Sequence, residues 1–197
     1  MSIPAQTAEQ LHIFLVRHHK PSLARAGLFN RARAMQFITD YDVADIEDIR
    51  EKPTGLPFGE IKQVHTSALP RAKQTALTLF GPEVTLKEDK LFNECERKIL
   101  SLPLLRFPIS VWLAGARLLW LMGLNSRGIE NYRQARLRAK QCAEKLAQYA
   151  EVEHKTVLVA HGMLNIFIRH YLRKMGWQIA HHNGNGYLSV TELVKSS

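Results

Sequence analysis

The sequence predicts an α/β fold, a three-layer sandwich with a mostly parallel central sheet and helices on both faces. Short, wholly apolar runs at residues 13–16 (IFLV) and 157–160 (VLVA) read as strands buried on both faces, which is the habit of parallel sheets. Helical stretches alternate with the strands, as crossover connections between parallel strands require. A length of 197 residues suits one domain of more than average size, with chain enough for a sizeable core.

The elements follow in order. The first strand lies within LHIFLVRHHKPS, residues 11–22, and ends abruptly in Arg17, His18, His19 and Lys20. A loop through Pro21 and Gly27 leads to a helix over residues 30–41, with Asn30 as N-cap and Ala34, Phe37, Ile38 and Tyr41 on its apolar side. Residues 42–60 are acidic and then rich in turn formers (Pro53, Gly55, Pro57, Gly59), which predicts a surface loop with little chemistry. In IKQVHTSALPRAKQTALTLFG a strand at 61–66 precedes a helix at 70–80, closed by Gly81 and Pro82. Residues 84–87 alternate as a short strand, and residues 91–96 form a polar loop with two acids. A basic amphipathic helix is expected over 130–149, its apolar positions including Tyr132, Leu137, Cys142, Ala143, Leu146 and Tyr149. The strand at 156–160 runs into His161 and Gly162, a helix over 163–175 comes next, and residues 187–193 alternate as a last strand.

Hydrophobic content of 46% and charged content of 23% exclude disordered and fibrous classes. The two cysteines, Cys95 and Cys142, have no CxxC spacing, so neither a disulfide framework nor a zinc site is expected, and a reducing cytoplasm fits. The start, MSIPAQTAEQ, lacks a basic stretch followed by a long apolar one, which argues against a secretory signal. The His-His pairs at 18–19 and 181–182 have no evident carboxylate or thiolate partner, so no metal site is expected; His19, His65, His181 and His182 read as supporting or surface residues. A net charge of +9 points to anionic partners: phosphate esters, nucleic acid or an acidic membrane surface. Between residues 97 and 140 nine Lys and Arg face the single acid Glu130. No surface of interleaved aromatic and basic residues is evident, which speaks against nucleic acid.

Residues 99–124 are unusually apolar, with Arg106 and Arg117 their only charges, and form a helical insert within a basic-flanked segment at about 97–128. Pro103 and Pro108 break the run, so the longest helix is Ile109–Leu124, sixteen residues against the roughly 20 needed to span a bilayer. The insert is expected to be a lid or an interface, packed on its own chain or on a second copy in a homodimer. The alternative is a lid resting on an anionic membrane surface, which Trp112 and Trp120 amid the basic segment motivate.

Three strand ends place reactive or anion-binding groups at one edge of the predicted sheet: Arg17 and His18, Ser67 and Arg71, His161 and Gly162. Two histidines and two arginines converging near helix N-termini suit a dianionic phosphoryl group. Guanidinium forks bind its oxygens in pairs, and helix amides add partial positive charge.

The strings LVRHHKP, HTSALPRAKQTA, LFNE and VLVAHGMLN resemble, in order, the four signature segments of the histidine phosphatase (phosphoglycerate mutase-like) superfamily. The resemblance spans residues 11 to about 193 and is interrupted by the insert. It implies that His18 is a nucleophile that becomes a phosphohistidine, that Arg17, Arg71 and His161 hold the transferring group, and that Ser67 supports the pocket. Glu94 is the implied proton donor, with Glu96 and Asp89 as competing acids. The family usually has glycine after the nucleophile, whereas this chain has His19, expected to narrow the pocket or to add a phosphate contact. The implied activity is a phosphomonoesterase acting on a small phosphorylated substrate without metal or cofactor. Phosphoglycerate mutase-type transfer is the nearer alternative, and a non-catalytic phosphate-binding or scaffold module the more distant one. Chemically, His18 must be unprotonated to attack, and Arg17 and Arg71 disfavour its cationic form. Glu94 must hold a proton as the ester oxygen leaves, and can then activate water.

Overall fold

Six strands, β1 (Gln10–Arg17), β2 (Gln63–Thr66), β3 (Thr85–Glu88), β4 (Lys155–Ala160), β5 (Gln178–His182) and β6 (Val190–Ser196), form one sheet in the computed structural model, which describes residues 10–101 and 104–196. Their order is β3-β2-β4-β1-β6-β5. The β3-β2-β4-β1 side is parallel, whereas β6 runs antiparallel to both β1 and β5. The sheet is thus mostly parallel, as the buried apolar runs require.

The helices are α1 (Arg31–Val43), α2 (Pro70–Phe80), α3 (Ile109–Leu121), α4 (Tyr132–Glu153) and α5 (Gly162–Lys174), with a 3-10 turn at Lys90–Phe92. Alternate side chains of the central strands feed two cores. Ile13, Leu15 and Leu158 pack on Leu146 of α4 and on Leu164, Ile168 and Leu172 of α5. Phe14, Val16, Val157 and Val159 pack on Ala72, Ala76 and Leu79 of α2. Asn30 caps α1, its side chain accepting from the Arg33 N–H, and Gly81 ends α2 at φ 94°, a backbone region glycine tolerates.

Three expectations are corrected and one strand is added. Helix α4 faces the core through Ala135, Ala139, Cys142, Ala143, Leu146, Ala147 and Ala150, while Leu137 is 61% exposed. Two residues on from Ala135 is about 200° around a helix, so Leu137 points away from the small-residue face. The last strand covers Val190–Ser196 and leaves Tyr187 in a loop, because pairing to β1 in the register Ile13 to Leu193 sets its position. Strand β5 was not foreseen: its residues QIAHH lie at an edge, mostly exposed, and carry no buried alternation. Trp112 and Trp120, which motivated a membrane contact, are both buried. Their indole N–H groups donate to the carbonyls of Phe29 and Glu130, each at 2.7 Å.

Through these tryptophans the insert packs on its own chain. Ile99, Ile109 and Trp112 join Phe29, Ala34 and Phe37 beside α1, and Trp120 joins Cys95 and Ala135 beside α4. Helix α3 begins at Ile109 as expected and stops at Leu121, just before Gly123 at φ 78°. Pro103 and the N-terminal stretch read for a secretory signal, apart from Gln10, lie outside the described residues. Among the described residues, no helix is long and apolar enough to cross a membrane.

Candidate active site

Strand register brings the reactive groups together. Arg17 pairs with Ala160 across β1 and β4, and Thr66 pairs with Val159 across β2 and β4. The next residues, His18, His161 and Ser67, therefore leave three adjacent parallel strands side by side. The His18 N–H donates to the Ala160 carbonyl at 3.0 Å, and the two imidazole centroids stand 5.0 Å apart. All three side chains are buried.

The tautomer of His18 follows from its partner. Nδ1 lies 2.6 Å from the His19 carbonyl, which only accepts, so Nδ1 carries the proton and Nε2 keeps its lone pair. Burial pushes the His18 pKa well below the ordinary imidazole value, and His161, Arg71 and Arg17 add to the effect. His161 is lowered likewise, by burial and then by Arg71 and Arg17. Its Nε2 lies 2.7 Å from Ser67 Oγ, and the same oxygen accepts from the Leu69 N–H at 3.3 Å. That arrangement directs the hydroxyl proton to Nε2 and puts the imidazole proton on Nδ1.

Three buried nitrogens here make no hydrogen bond within the protein: Arg17 Nε, Arg71 Nε and His161 Nδ1. Two guanidinium groups and an imidazole with donors to spare suit an oxyanion, which accepts from several donors at once. Each arginine is held from behind. Arg17 stacks on the Tyr187 ring at 4.3 Å and donates to the Asn185 carbonyl, whereas Arg71 donates to the Tyr41 carbonyl and to Asp42 Oδ1, both at 3.1 Å. The Arg17 guanidinium lies so close to Gly162 that a Cβ there would stand 3.2 Å from Nε.

Glu94 lies on the wall of the active-site cavity, beside the start of α5. Its carboxylate accepts from the N–H groups of Cys95, Met163 and Leu164, the last two belonging to the first turn of α5. Burial alone would raise its pKa; Arg97, Arg117 and the amide hydrogen bonds outweigh that and leave it lowered. Arg138 holds this loop by donating to the carbonyls of Leu91 and Asn93, both at 2.7 Å. Of the competing acids, Glu96 lines the same cavity and accepts from the Glu130 N–H, whereas Asp89 pairs with Lys145 away from it.

Arg17, Arg71 and Glu94 open on a cavity of about 280 Å3, walled also by Arg25, Phe37, Ile38, Tyr41, Arg97, Leu113 and Tyr187. His18 is not part of its lining; it lies behind Tyr41 and Tyr187, with ring centroids at 6.4 and 5.7 Å. His19 lines a different cleft with Ser22, Glu47 and Leu188. Its backbone reaches the site instead, through the carbonyl that orients His18 and an N–H that donates to Thr75 Oγ1. His65 is buried, bonded to Glu153 at 2.9 Å and stacked on Tyr149, outside the site. Among the described residues, no three His, Cys, Asp or Glu side chains are grouped so as to hold a metal ion.

Tyr41, Asp42 and Arg97 line the cavity although the sequence marks them only as a helix-packing residue, part of a surface loop and one charge of a basic segment. Tyr187 was placed in a strand, and Arg25 has no local pattern that marks it.

A mostly parallel α/β sheet whose strand ends gather two neutral histidines and two arginines defines a phosphoryl-binding protein of the phosphohistidine type. The chain belongs to the histidine phosphatase superfamily (branch 1), whose family model matches residues 13–196. Comparison with curated proteins gave no match. Among solved structures the fold is similar to a mycobacterial glucosyl-3-phosphoglycerate phosphatase, at 19% identity and TM-score 0.52, covering 95% of this chain and 97% of that one. It is similar also to a phosphoglycerate mutase from Bacillus anthracis str. Sterne, at 15% identity and TM-score 0.54, covering 96% and 89%.

Proposed function

We propose that this protein hydrolyses a phosphomonoester through a phosphohistidine on His18. One observation carries the reading: His18 has its Nδ1 proton fixed by the His19 carbonyl, which leaves the Nε2 lone pair for attack, beside unpaired donors of Arg17, Arg71 and His161 that suit an oxyanion. In the first step Nε2 forms a bond to phosphorus as the ester P–O bond breaks, while Arg17, Arg71 and His161 balance the charge on the moving oxygens. The leaving oxygen takes a proton and departs as an alcohol. In the second step water attacks the phosphohistidine, the N–P bond breaks, and inorganic phosphate is released.

Glu94 serves both steps with different protonation. In the free site its lowered pKa makes it a carboxylate, the form that activates water. To protonate the leaving oxygen it must first gain a proton, which a phosphate dianion beside it favours by offsetting Arg97 and Arg117. Ser67 sets the His161 tautomer, and the His19 carbonyl rather than its ring sets that of His18.

Two guanidinium groups supply the charge stabilisation, so the proposed reaction requires no metal. The free, buried Cys95 and Cys142 suit a cytoplasmic location. The structural neighbours include a phosphatase and a mutase, and the fold serves both reactions. The test is a panel of phosphomonoesters assayed with the native chain and His18→Ala. Phosphate release lost in the variant is expected. Equal activity in both would refute the mechanism, and inactivity of both on every substrate would favour a phosphate-binding module.

A further inference from the structure

The side of α3 opposite its buried tryptophans is apolar and open to solvent. Val111, Ala114, Leu118, Leu121 and Met122 fall on one helical face, with Val111 49%, Leu118 60% and Met122 64% exposed. No acid occurs in the helix, and exposed Lys98, Arg106, Arg127 and Arg133 lie in the flanking segments. An apolar helical stripe without acids, set in a segment of net charge +8 (nine bases, one acid), has the chemistry of a helix lying in the surface of an anionic bilayer. A second copy of this chain is the less suitable occupant, since it would bring two such basic segments together.

Helix α3 also borders the active site. Leu113 lines the cavity that holds Arg17, Arg71 and Glu94. A neighbouring cleft of about 320 Å3 is walled by the apolar Leu113, Ala114 and Ile166 and by the charged Arg17, Glu94, Arg97 and Arg117. Ala114 therefore belongs both to the exposed stripe and to a cleft that contains the phosphoryl-binding arginine and the acid. The cleft joins the stripe, at Ala114, to an arginine that would hold the phosphoryl group and to further cations that would meet an anionic headgroup.

We infer that the outer face of α3 seats on an anionic lipid bilayer and that the site takes the phosphomonoester headgroup of a membrane lipid. This rests on the phosphatase reading and names its substrate class. The balance is that of the reaction above: the lipid P–O bond breaks, water supplies the replacing oxygen, and a lipid alcohol and inorganic phosphate are the products. The headgroup reaches Arg17 from the α3 side, with the chains kept against Ala114 and the stripe.

The experiment uses the whole chain and two kinds of vesicle, phosphatidylcholine alone and phosphatidylcholine with phosphatidylglycerol, each with and without dioleoyl phosphatidic acid. p-Nitrophenyl phosphate and dibutyryl phosphatidic acid serve as soluble substrates. Co-sedimentation with the anionic vesicles at low salt is expected, together with phosphate release from vesicular phosphatidic acid at least about tenfold faster than from the soluble short-chain form. The double variant Leu118→Asp, Met122→Asp changes only exposed residues outside the catalytic machinery. It is expected to lose both effects while keeping its p-nitrophenyl phosphate turnover and its melting temperature. Equal rates of native and variant protein on vesicular phosphatidic acid, or no co-sedimentation, would overturn the inference and leave the phosphatase reading intact. A native dimer made monomeric by the same substitutions would overturn it in favour of a second copy. Variant-sensitive co-sedimentation without turnover of any ester would instead refute the phosphatase reading and the substrate assignment, and uphold the docking surface alone.

Discussion

The hydroxyl oxygens of Tyr41 and Tyr187 lie 3.3 Å apart, joining helix α1 to the loop before β6 in front of His18. Arg25 donates to the same Tyr187 oxygen at 2.7 Å, so the bridge carries a cation on its solvent side. Burial and the Tyr187 contact push the Tyr41 hydroxyl pKa up to about 12, so Tyr41 enters this bond as a neutral phenol at physiological pH. The nucleophile is thus built behind an aromatic pair, and the face of one of these rings also supports Arg17.

That double duty separates two substitutions. Tyr187→Phe keeps the ring under Arg17 and removes the hydroxyl bridge, so kcat/KM is expected to equal or exceed the native value. Tyr187→Ala removes the ring as well, and losing a partly desolvated cation–π contact of about 1 kcal/mol predicts a fall of roughly fivefold. Steady-state kinetics on a soluble phosphomonoester compares the two. A fall of equal size in both would mean that the hydroxyl bridge, rather than the ring, supports catalysis.

Gly162 offers a test of Arg17 from the opposite side. A Cβ at this position would meet Arg17 Nε, Cζ and Cδ at 3.2, 3.3 and 3.4 Å, against the far end of a flexible side chain. Gly162→Ala is therefore expected to leave the melting temperature near native while moving the guanidinium by a few tenths of an ångström. Small displacements at a transferring group are costly, so kcat is expected to fall by about tenfold. A variant with native kcat would show that Arg17 does not need its present position.

Burial and neighbouring cations depress both active-site imidazoles, which sets the direction of the pH dependence. A base with lowered pKa stays unprotonated to lower pH, so kcat/KM is expected to hold as pH falls to the ordinary imidazole value of about 6.5 and to decline only below it. Stability follows the same sign. Below about 6.5 the unfolded chain binds protons that the buried histidines refuse, so the melting temperature is expected to fall as pH drops through that value. In Arg71→Gln the loss of a nearby cation should raise the His18 pKa and move the acid limb of the rate profile upward. An unmoved limb would assign it to another group.

How much of this was legible in the chain depended on the kind of signal. Arg17, His18, Ser67, Arg71 and His161 stand at or just beyond the ends of strands that hydrophobic runs announce, so their convergence followed from sheet topology. Tyr187 was misplaced because residues 187–193 alternate acceptably as a strand, and only pairing with β1 moves that strand three residues on. The tryptophans of α3 looked like surface anchors because composition does not say which side of a helix is buried. In the structure the basic segment and the apolar face remain, but the exposed apolar residues are Val111, Leu118 and Met122. Arg25 and Arg97 reach the cavity from loops distant in sequence, which no local pattern predicts.

Ser67 shows how a group that need not touch the phosphoryl oxygens can govern the reaction. Its hydroxyl is buried, accepts the Leu69 N–H and holds His161 Nε2 at 2.7 Å, which leaves the His161 Nδ1–H as the free donor. Ser67→Ala removes that constraint without a large change in volume, so either ring nitrogen can carry the proton and only part of the population presents a donor. Losing one buried neutral hydrogen bond costs about 1 kcal/mol of stability, a modest drop in melting temperature. The kinetic effect is expected to be larger, a fall of about ten- to a hundredfold in kcat, because the lost donor acts on charge that develops in the transition state. Ser67→Thr keeps the hydroxyl and is expected to recover most of the rate. If Ser67→Ala lost stability and rate in equal measure, and threonine restored neither, the serine would be a packing residue and the donor role of His161 would need another origin.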